Sequence, residues 1–453
     1  MHVSLARSAK NAVPVHLVTA KTAKAFLAAD RRRAGLSAAG FGGREGELMP
    51  LMAGAKVTAW ALGVGEGNDI FAAAGLSEKL PEGLYRLGEV PPSLGETSAV
   101  LAWLLGSYSF TRYKASKKKS PRLVLPEGVD GQEVSRIAEA VFLARDLINT
   151  PANDMGPEEL VQAARKLAAG HGAKVSVIRG AALKKDFPLI EAVGRGSSRP
   201  PCLIDLRWGS RNAPRVTLVG KGVCFDTGGL DIKPSSGMLT MKKDMGGAAT
   251  ALAIAAMVMG AKLRLQLRLL IPAAENSVSG NAFRPGDVFK SRKGLTVEIG
   301  NTDAEGRLIL ADALALADEE RPELLIDIAT LTGAARAATG MELPPFFTDD
   351  EVLAADLSRL SMVTGDPLWR LPLWRGYDFS LGSRIADLNN NPAYGYAGAI
   401  TAALFLKRFV GTRSWVHLDI PGWSDRVRPG RPIGGEANSA RAVYALLKER
   451  YGK

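Results

Sequence analysis

The chain has 453 residues, enough for two or three domains and for a large core that needs no disulfide or metal to fold. Its 46% apolar and 23% charged residues are typical of globular proteins. No apolar stretch is long enough to cross a bilayer and no secretion signal opens the chain, so we expect a cytoplasmic protein without a membrane partner. Two cysteines and four histidines exclude a disulfide scaffold and a histidine-rich metal site, while the net charge of +12 permits a solvated surface or a polyanionic partner.

The N-terminal part of the chain contains short apolar runs that predict strands over residues 13–18 and 56–63. A basic stretch over 116–126, with strand-like residues 122–125, is interpreted as a hinge between two halves. Helices are predicted next, over 132–147 and over 157–169, because apolar residues recur along one stripe and proline marks the boundaries.

Strands and helices then alternate to the end of the chain. Strands are predicted over 174–178, 216–220, 265–271, 296–299, 324–329 and 415–420, and helices over 248–259, 308–319, 397–409 and 437–450. Such alternation is typical of an α/β fold with a central mixed, largely parallel sheet flanked by helices. We therefore expect a smaller N-terminal α/β domain, residues 1–125, and a C-terminal domain, residues 126–453.

Acidic, glycine-rich segments follow two of these predicted strands. Asp226 lies in the predicted loop over 221–229, Asp303 and Glu305 lie in the loop over 301–307, and Asp244 precedes a helix. Ligands of open α/β sheets bind beyond the carboxyl ends of the strands. On an extended segment, Asp303 and Glu305 would face the same way because they are two residues apart.

Four carboxylates at one place stay ionised only if cations neutralise them. Without histidine, such a set suits divalent metals, and two ions that share bridging carboxylates would acidify a water molecule. For any single Asp, a turn or helix cap is the alternative. A nucleotide loop is disfavoured because Phe225 replaces the third glycine of the dinucleotide-binding pattern. Basic residues among the acids, Lys221, Lys233 and Arg307, could hold an oxyanion, and a lysine could also become a nitrogen ligand.

Residues 301–308, NTDAEGRL, resemble the signature octapeptide of the leucyl aminopeptidases, the dinuclear-metal peptidase family M17 that includes bacterial aminopeptidase A. Further blocks resemble the family in the right order, among them VGKG at 219–222, DMGGAA at 244–249, ATLTGA at 329–334 and HLDI at 417–420. The resemblance implies a C-terminal catalytic domain, a macro-like N-terminal domain and a homohexamer. It implies hydrolysis of the N-terminal residue, Leu-like by preference, from peptides with a free N-terminus.

The resemblance also implies a role for individual residues. The metal ligands would be Lys221, Asp226, Asp244, Asp303 and Glu305, holding two divalent ions, Zn or Mn with Mg and Co as alternatives. The catalytic residues would be Lys233, which polarises the scissile carbonyl, and Arg307, which holds a bicarbonate ion. The substrate-binding residues would be Met241, Asn301, Thr330, Gly333 and Leu331, the last through its backbone carbonyl.

Two other functions remain open at this point. DNA binding, alone or as an additional role, is permitted by the positive charge, and some bacterial relatives have it. A different dinuclear hydrolase, such as a phosphatase, could use the same carboxylates.

Overall fold

The computed structural model describes residues 4–7, 11–115 and 121–452. The chain divides into two compact units, the first reaching to Phe142 and including Arg426–Ile433, the second comprising Leu143–Asp425 and the residues from Gly434 onward. The first part of the predicted hinge, residues 116–120, lies outside the described residues. Within the described ranges, no helix is long and apolar enough to cross a membrane.

A six-stranded sheet forms the centre of the first unit. Its strands are β1 (Leu5–Ala6), β2 (Val13–Val18), β3 (Leu48–Ala53), β4 (Lys56–Gly63), β5 (Leu84–Leu87) and β6 (Arg122–Val124), and its helices are α1 (Ala23–Ala28), α2 (Ala34–Ala38), α3 (Leu76–Lys79) and α4 (Glu96–Gly106). The strand order is β1-β6-β5-β2-β4-β3, with β3 and β4 antiparallel and the other pairs parallel. The strands predicted over 13–18 and 56–63 are confirmed as β2 and β4. Helix α5 (Gly131–Asn149) follows and continues into the second unit.

The second unit contains a nine-stranded mixed sheet. The strands of this unit are β7 (Lys174–Arg179), β8 (Cys202–Trp208), β9 (Arg215–Gly220), β10 (Gly222–Asp226), β11 (Gln266–Asn276), β12 (Val288–Lys290), β13 (Thr296–Glu298), β14 (Leu324–Ala329), β15 (Pro345–Phe347), β16 (Trp369–Arg370), β17 (Leu388–Asn389), β18 (Trp415–Asp419), β19 (Trp423–Ser424) and β20 (Gly434–Gly435). The large sheet has the order β16-β15-β18-β14-β9-β11-β8-β7, and β10 also pairs with β11. Its centre, β18-β14-β9-β11, is parallel, as predicted.

The second unit also contains helices, and several of them pack on the large sheet. The helices of this unit are α6 (Pro157–His171), α7 (Gly180–Asp186), α8 (Pro188–Gly194), α9 (Ser235–Met238), α10 (Gly246–Gly260), α11 (Gly306–Glu319), α12 (Gly333–Thr339), α13 (Glu351–Val363), α14 (Gly398–Lys407) and α15 (Ala440–Tyr451). Helix α10 packs against α15 and β9, whereas α11 packs against α8, α14 and β11. Nearly every residue of α10 is buried, which explains why its sequence is apolar on all sides.

The predicted loop over 221–229 is wrong in its first half, because residues 222–226 form β10 and pair with β11. Glycine and aspartate are poor strand formers, so this strand depends on its partner rather than on its own sequence. Because the central strands are parallel, β9, β11, β14 and β18 all end at one edge of the sheet. That edge is where the acidic segments lie.

A buried aspartate joins α11 to the start of α8. The Asp312 carboxylate accepts hydrogen bonds from the backbone amides of Leu189 (2.8 Å), Ile190 (3.4 Å) and Arg292 (2.8 Å). Burial raises the pKa of Asp312 to about 7, although these three hydrogen bonds act in the opposite direction. The folded protein therefore holds this proton over a pH range in which the unfolded chain has released it.

The stability of the protein relative to an Asp312→Asn variant should fall as the pH rises from about 4 to about 7. The Asp312 carboxyl loses its proton near pH 4 in the unfolded chain and near pH 7 in the folded protein. Its contribution to the free energy of unfolding is therefore complete below pH 4 and is lost as the pH rises to 7. The free energy of unfolding, relative to that of the variant, should change by at most about 4 kcal/mol. Denaturant unfolding of both proteins at several pH values measures it, and a difference that does not vary with pH would contradict the assignment.

Candidate active site

Three buried carboxylates converge at the carboxyl edge of the large sheet. Asp226 ends β10, Asp244 lies in the 3-10 helix Met241–Met245 that leads into α10, and Glu305 immediately precedes α11. One oxygen of each carboxylate lies within 4.8 Å of an oxygen of the other two. Three of the four predicted carboxylates are thus brought together.

The Lys221 ammonium lies among these carboxylates. Its Nζ is 2.7 Å from Asp244 Oδ2 and 2.9 Å from Glu305 Oε1, and it donates a hydrogen bond of 2.8 Å to the Thr330 carbonyl. Burial opposes the charge, but the surrounding carboxylates outweigh it and raise the pKa of Lys221. A Cβ on Gly306 would come within 2.5 Å of Lys221 Cε, so the glycine of the octapeptide makes room for this lysine.

A second lysine, Lys233, faces the same site from another side. Its ammonium is 2.8 Å from Asp226 Oδ2 and also forms an ion pair with Asp303. The other oxygen of Asp226 accepts hydrogen bonds of 2.9 Å from the Gly228 amide and from Asn276 Nδ2. Asp303 is about one-third exposed and lies at the margin of the site, outside the group of three.

The carboxylates differ in how easily they ionise. Burial, followed by repulsion from Asp244, raises the pKa of Asp226 to about 6. Burial, followed by repulsion from Asp226, raises the pKa of Glu305 to about 8. Asp244 is equally buried, but Lys221 and Lys243 outweigh the burial and lower its pKa. The three nearby lysines, Lys221, Lys233 and Lys243, therefore do not supply enough positive charge to keep all three acids ionised.

The donor set fits divalent cations. Glu305 Oε2 is buried and accepts no hydrogen bond from any residue that the structure describes. The available ligand atoms are carboxylate oxygens and one lysine nitrogen, a chemistry that suits Mg or Mn as well as Zn. Bound cations would supply the positive charge that Asp226 and Glu305 need in order to stay ionised. The residues present are therefore those that a metal site requires.

Arg307, in the first turn of α11, is buried beside this group. Its Nη1 donates a hydrogen bond of 2.8 Å to the Asn390 carbonyl, while its Nε is buried without a partner among the described residues. Burial lowers the pKa of Arg307 to about 10, still well above neutral, so the guanidinium keeps its charge. The Asn390 side chain binds the backbone of Asn301 and of Ala304 and so fixes the loop before α11.

The segment after β14 carries the remaining predicted residues. The Thr330 hydroxyl donates to Asp244, 2.8 Å from Oδ1, and its carbonyl accepts from Lys221. Leu331 is partly buried, and Gly333 begins α12 and is exposed. Met241 is buried and opens the 3-10 helix that carries Asp244. The predicted substrate-binding residues thus lie on the segments that hold the carboxylate group.

The expectation that Asp303 and Glu305 lie on one extended segment is wrong. Residues 302–303 form a turn, and Glu305 already has helical dihedrals, φ −73° and ψ −35°. The turn is stabilised by Asn301, whose side-chain oxygen accepts a 2.7 Å hydrogen bond from the Asp303 amide. As a result Asp303 faces Lys233 whereas Glu305 faces Lys221.

The sequence analysis assigned no role to three residues that hold the site in place. Asn276 and Asp419 end β11 and β18, and both bind site segments with their side chains. A polar residue at the carboxyl end of a buried parallel strand is a signal that could have found them. Asn390, which binds the loop before α11, lies in a run of three asparagines that gave no such signal.

Comparison with known proteins gives consistent matches over both units. Residues 142–446 match the cytosol aminopeptidase family, catalytic domain, and residues 13–126 match the M17 aminopeptidase, N-terminal domain. A probable cytosol aminopeptidase of Geobacter sp. (strain M21) is 41% identical over 374 residues, which are 78% of this chain and 75% of that protein.

Two solved structures extend this similarity to the fold. The crystal structure of the cytosol aminopeptidase from Coxiella burnetii has a TM-score of 0.95 at 46% identity and covers 99% of both chains. The bottromycin maturation enzyme BotP in complex with Mn has a TM-score of 0.86 at 34% identity and covers 98% of this chain and 100% of its own.

Proposed function

Because the chain belongs to the cytosol aminopeptidase family, peptidase family M17, and is therefore a metal-dependent exopeptidase, we propose that it removes the N-terminal residue from peptides in the cytoplasm with two divalent ions at the carboxylate site. The observation that carries this proposal is the buried group Asp226, Asp244 and Glu305 with Lys221 among them. The phosphatase alternative has no comparable support, since the matches are to aminopeptidases.

We propose that the two ions are held by the five residues Lys221, Asp226, Asp244, Asp303 and Glu305. Zn or Mn are the preferred ions, with Mg and Co as alternatives, because availability decides as much as affinity at such sites. When bound, the ions supply Lewis acidity, which activates water and polarises an amide carbonyl. Lys221 must release its proton to act as a ligand, which its present carboxylate partners disfavour and nearby cations would favour.

The two cationic side chains have separate roles in this proposal. Lys233 stays charged because Asp226, Glu305 and Asp303 outweigh its burial and raise its pKa, so it can stabilise negative charge on the carbonyl oxygen of the scissile amide. Arg307 holds a bicarbonate ion, a base that would accept a proton during the reaction. Its Nε, which has no hydrogen-bond partner in the part of the chain that the structure describes, and its contact with the Asn390 carbonyl support an anion at this position.

We propose that the substrate lies along the segment after β14. The Leu331 carbonyl accepts a hydrogen bond from the substrate amide, and Asn301 lines the site from the opposite loop. The first side chain enters a pocket formed by Met241, Thr330 and Gly333, in which the methionine favours Leu-like residues. A free α-amine would then be required, because it would bind one of the cations.

Protein treated with a chelator should lose the ability to hydrolyse leucine anilide and should regain it when Mn²⁺ or Zn²⁺ is added. The N-acetylated anilide, which has no free amine, should not be cleaved under any condition. Chromogenic assays with each ion measure both results. Folded protein that retains two ions but releases no product would contradict the proposed activity.

DNA binding is a second candidate role, favoured by the net charge of +12. It does not use the carboxylate site, so it should weaken with salt and survive the substitution Glu305→Gln. We also propose a homohexamer, the assembly that the family resemblance implies, and sedimentation of the metal-loaded protein measures it directly.

A further inference from the structure

Asp419, the last residue of β18, binds the segment that follows the neighbouring strand β14. Its Oδ1 accepts hydrogen bonds from the backbone amides of Leu331 (3.0 Å) and Thr332 (3.1 Å), and its Oδ2 accepts from the Thr332 hydroxyl (2.6 Å). The carboxylate is 2% exposed. Two successive amides on one oxygen form a small anion-binding concavity, and here the anion is part of the protein.

These contacts determine where two carbonyls point. The described residues contain no cis peptide bond, and in a trans peptide the C=O and N–H groups point in opposite directions. Since the amides of Leu331 and Thr332 both face Asp419, the carbonyls of Thr330 and Leu331 face away from it. The Thr330 carbonyl meets Lys221 Nζ at 2.8 Å, which shows that this direction leads into the carboxylate site.

The Leu331 carbonyl has no hydrogen-bond donor among the residues that the structure describes. The Ala335 amide, four residues along the chain, does not compete for it, because it donates to the Thr332 hydroxyl at 2.9 Å as α12 begins. The Leu331 carbonyl therefore faces the carboxylate site and is available to accept a hydrogen bond.

We propose that Asp419 is a positioning residue, which holds the Leu331 carbonyl in the orientation that accepts a hydrogen bond from the N–H of the scissile amide. The inference rests on the proposed peptidase function of this site. Asp419 itself touches neither the substrate nor the carboxylate group, and it acts through the two amides that it binds.

The test compares leucyl-alanine with its depsipeptide analogue, in which an ester oxygen replaces the scissile N–H. Asp419→Ala should lower kcat/KM for the peptide about tenfold more than for the ester, since only the peptide can use the Leu331 carbonyl. Asp419→Asn keeps the volume of the side chain and can still accept the two amide hydrogen bonds, which become weaker because the acceptor is neutral. The ratio of kcat/KM for the peptide to kcat/KM for the ester should therefore fall by about threefold. If the alanine variant does not fold, the asparagine variant still tests the proposed role of Asp419.

Asp366→Ala is the matched control. Asp366 is another buried carboxylate that accepts backbone amides, those of Ser439 at 3.1 Å and Arg441 at 2.9 Å, but it binds the start of α15. The Asp366→Ala substitution should lower kcat/KM for both substrates by the same factor. An unchanged peptide-to-ester ratio in both Asp419 variants would overturn the inference, whereas wild-type protein that cleaves neither substrate would overturn the proposed function instead.

Discussion

Glu305→Gln should yield a folded protein that has lost about a thousandfold or more in kcat/KM on leucine anilide. Glu305 Oε2 is a buried oxygen with no hydrogen-bond partner among the described residues, and Oε1 of the same side chain is 2.9 Å from Lys221 Nζ. An amide nitrogen cannot ligate a cation, and the substitution removes one of the charges that bind it. Metal ions contribute several kcal/mol to such reactions, and each 1.36 kcal/mol corresponds to tenfold in rate.

The measurement combines metal analysis after dialysis with steady-state kinetics. Glu305→Gln should hold fewer ions than the wild type, and excess Mn²⁺ should restore little activity. Glu319→Gln is the matched control, because Glu319 lies at the other end of the same helix and pairs with Arg292 at the surface. Full activity of Glu305→Gln with a normal metal content would exclude Glu305 as a ligand.

Lys233→Met should lower kcat by about a hundredfold to a thousandfold, the loss typical of removing one preorganised donor to a developing oxyanion. The metal content should not fall. Lys233 is the cation between Asp226 and Asp303, so its removal leaves two carboxylates less compensated and more attractive to divalent ions. KM should change less than kcat, since the charge on the oxygen is greatest in the transition state.

Single-turnover kinetics on metal-loaded protein separate this effect from a loss of ions. Lys242→Met is the control, because the Lys242 ammonium is bonded to the Asn149 carbonyl, 2.6 Å away, rather than to a carboxylate of the site. It should leave kcat near the wild-type value. A Lys233→Met protein with near-normal kcat would exclude the proposed role of the lysine.

The sheet and the positions of most site residues could be predicted because the central strands are short, apolar and separated by helices. Strand ends in a parallel sheet coincide, so acidic residues after different strands were expected to meet. The strand before Asp303 and Glu305, β13, instead lies in a separate three-stranded sheet with β12 and β17, so the meeting of these residues with Asp226 is not explained by a shared sheet. The helix predicted over residues 248–259 is found as α10, and its burial agrees with a sequence that is apolar on all sides.

What could not be predicted depends on contacts between distant residues. A strand was predicted over residues 265–271, yet β11 continues through Pro272 to Asn276. Proline is unfavourable inside a sheet, but pairing with β8 and β10 on its two sides holds this segment extended. Asn276, which binds Asp226 from the end of that extension, was missed for the same reason.

Thr330 connects two binding events that would otherwise be independent. Its hydroxyl bonds to Asp244 and its carbonyl to Lys221, and the next residue carries the carbonyl that we propose accepts the peptide N–H. On this proposal, cations that bind Asp244 and Lys221 alter the segment on which the substrate lies. Thermodynamic reciprocity then requires that a bound peptide strengthens the affinity for the ions by the same factor by which bound ions strengthen the affinity for the peptide. Substrate supply would in this way help to decide how much of the enzyme keeps its metal.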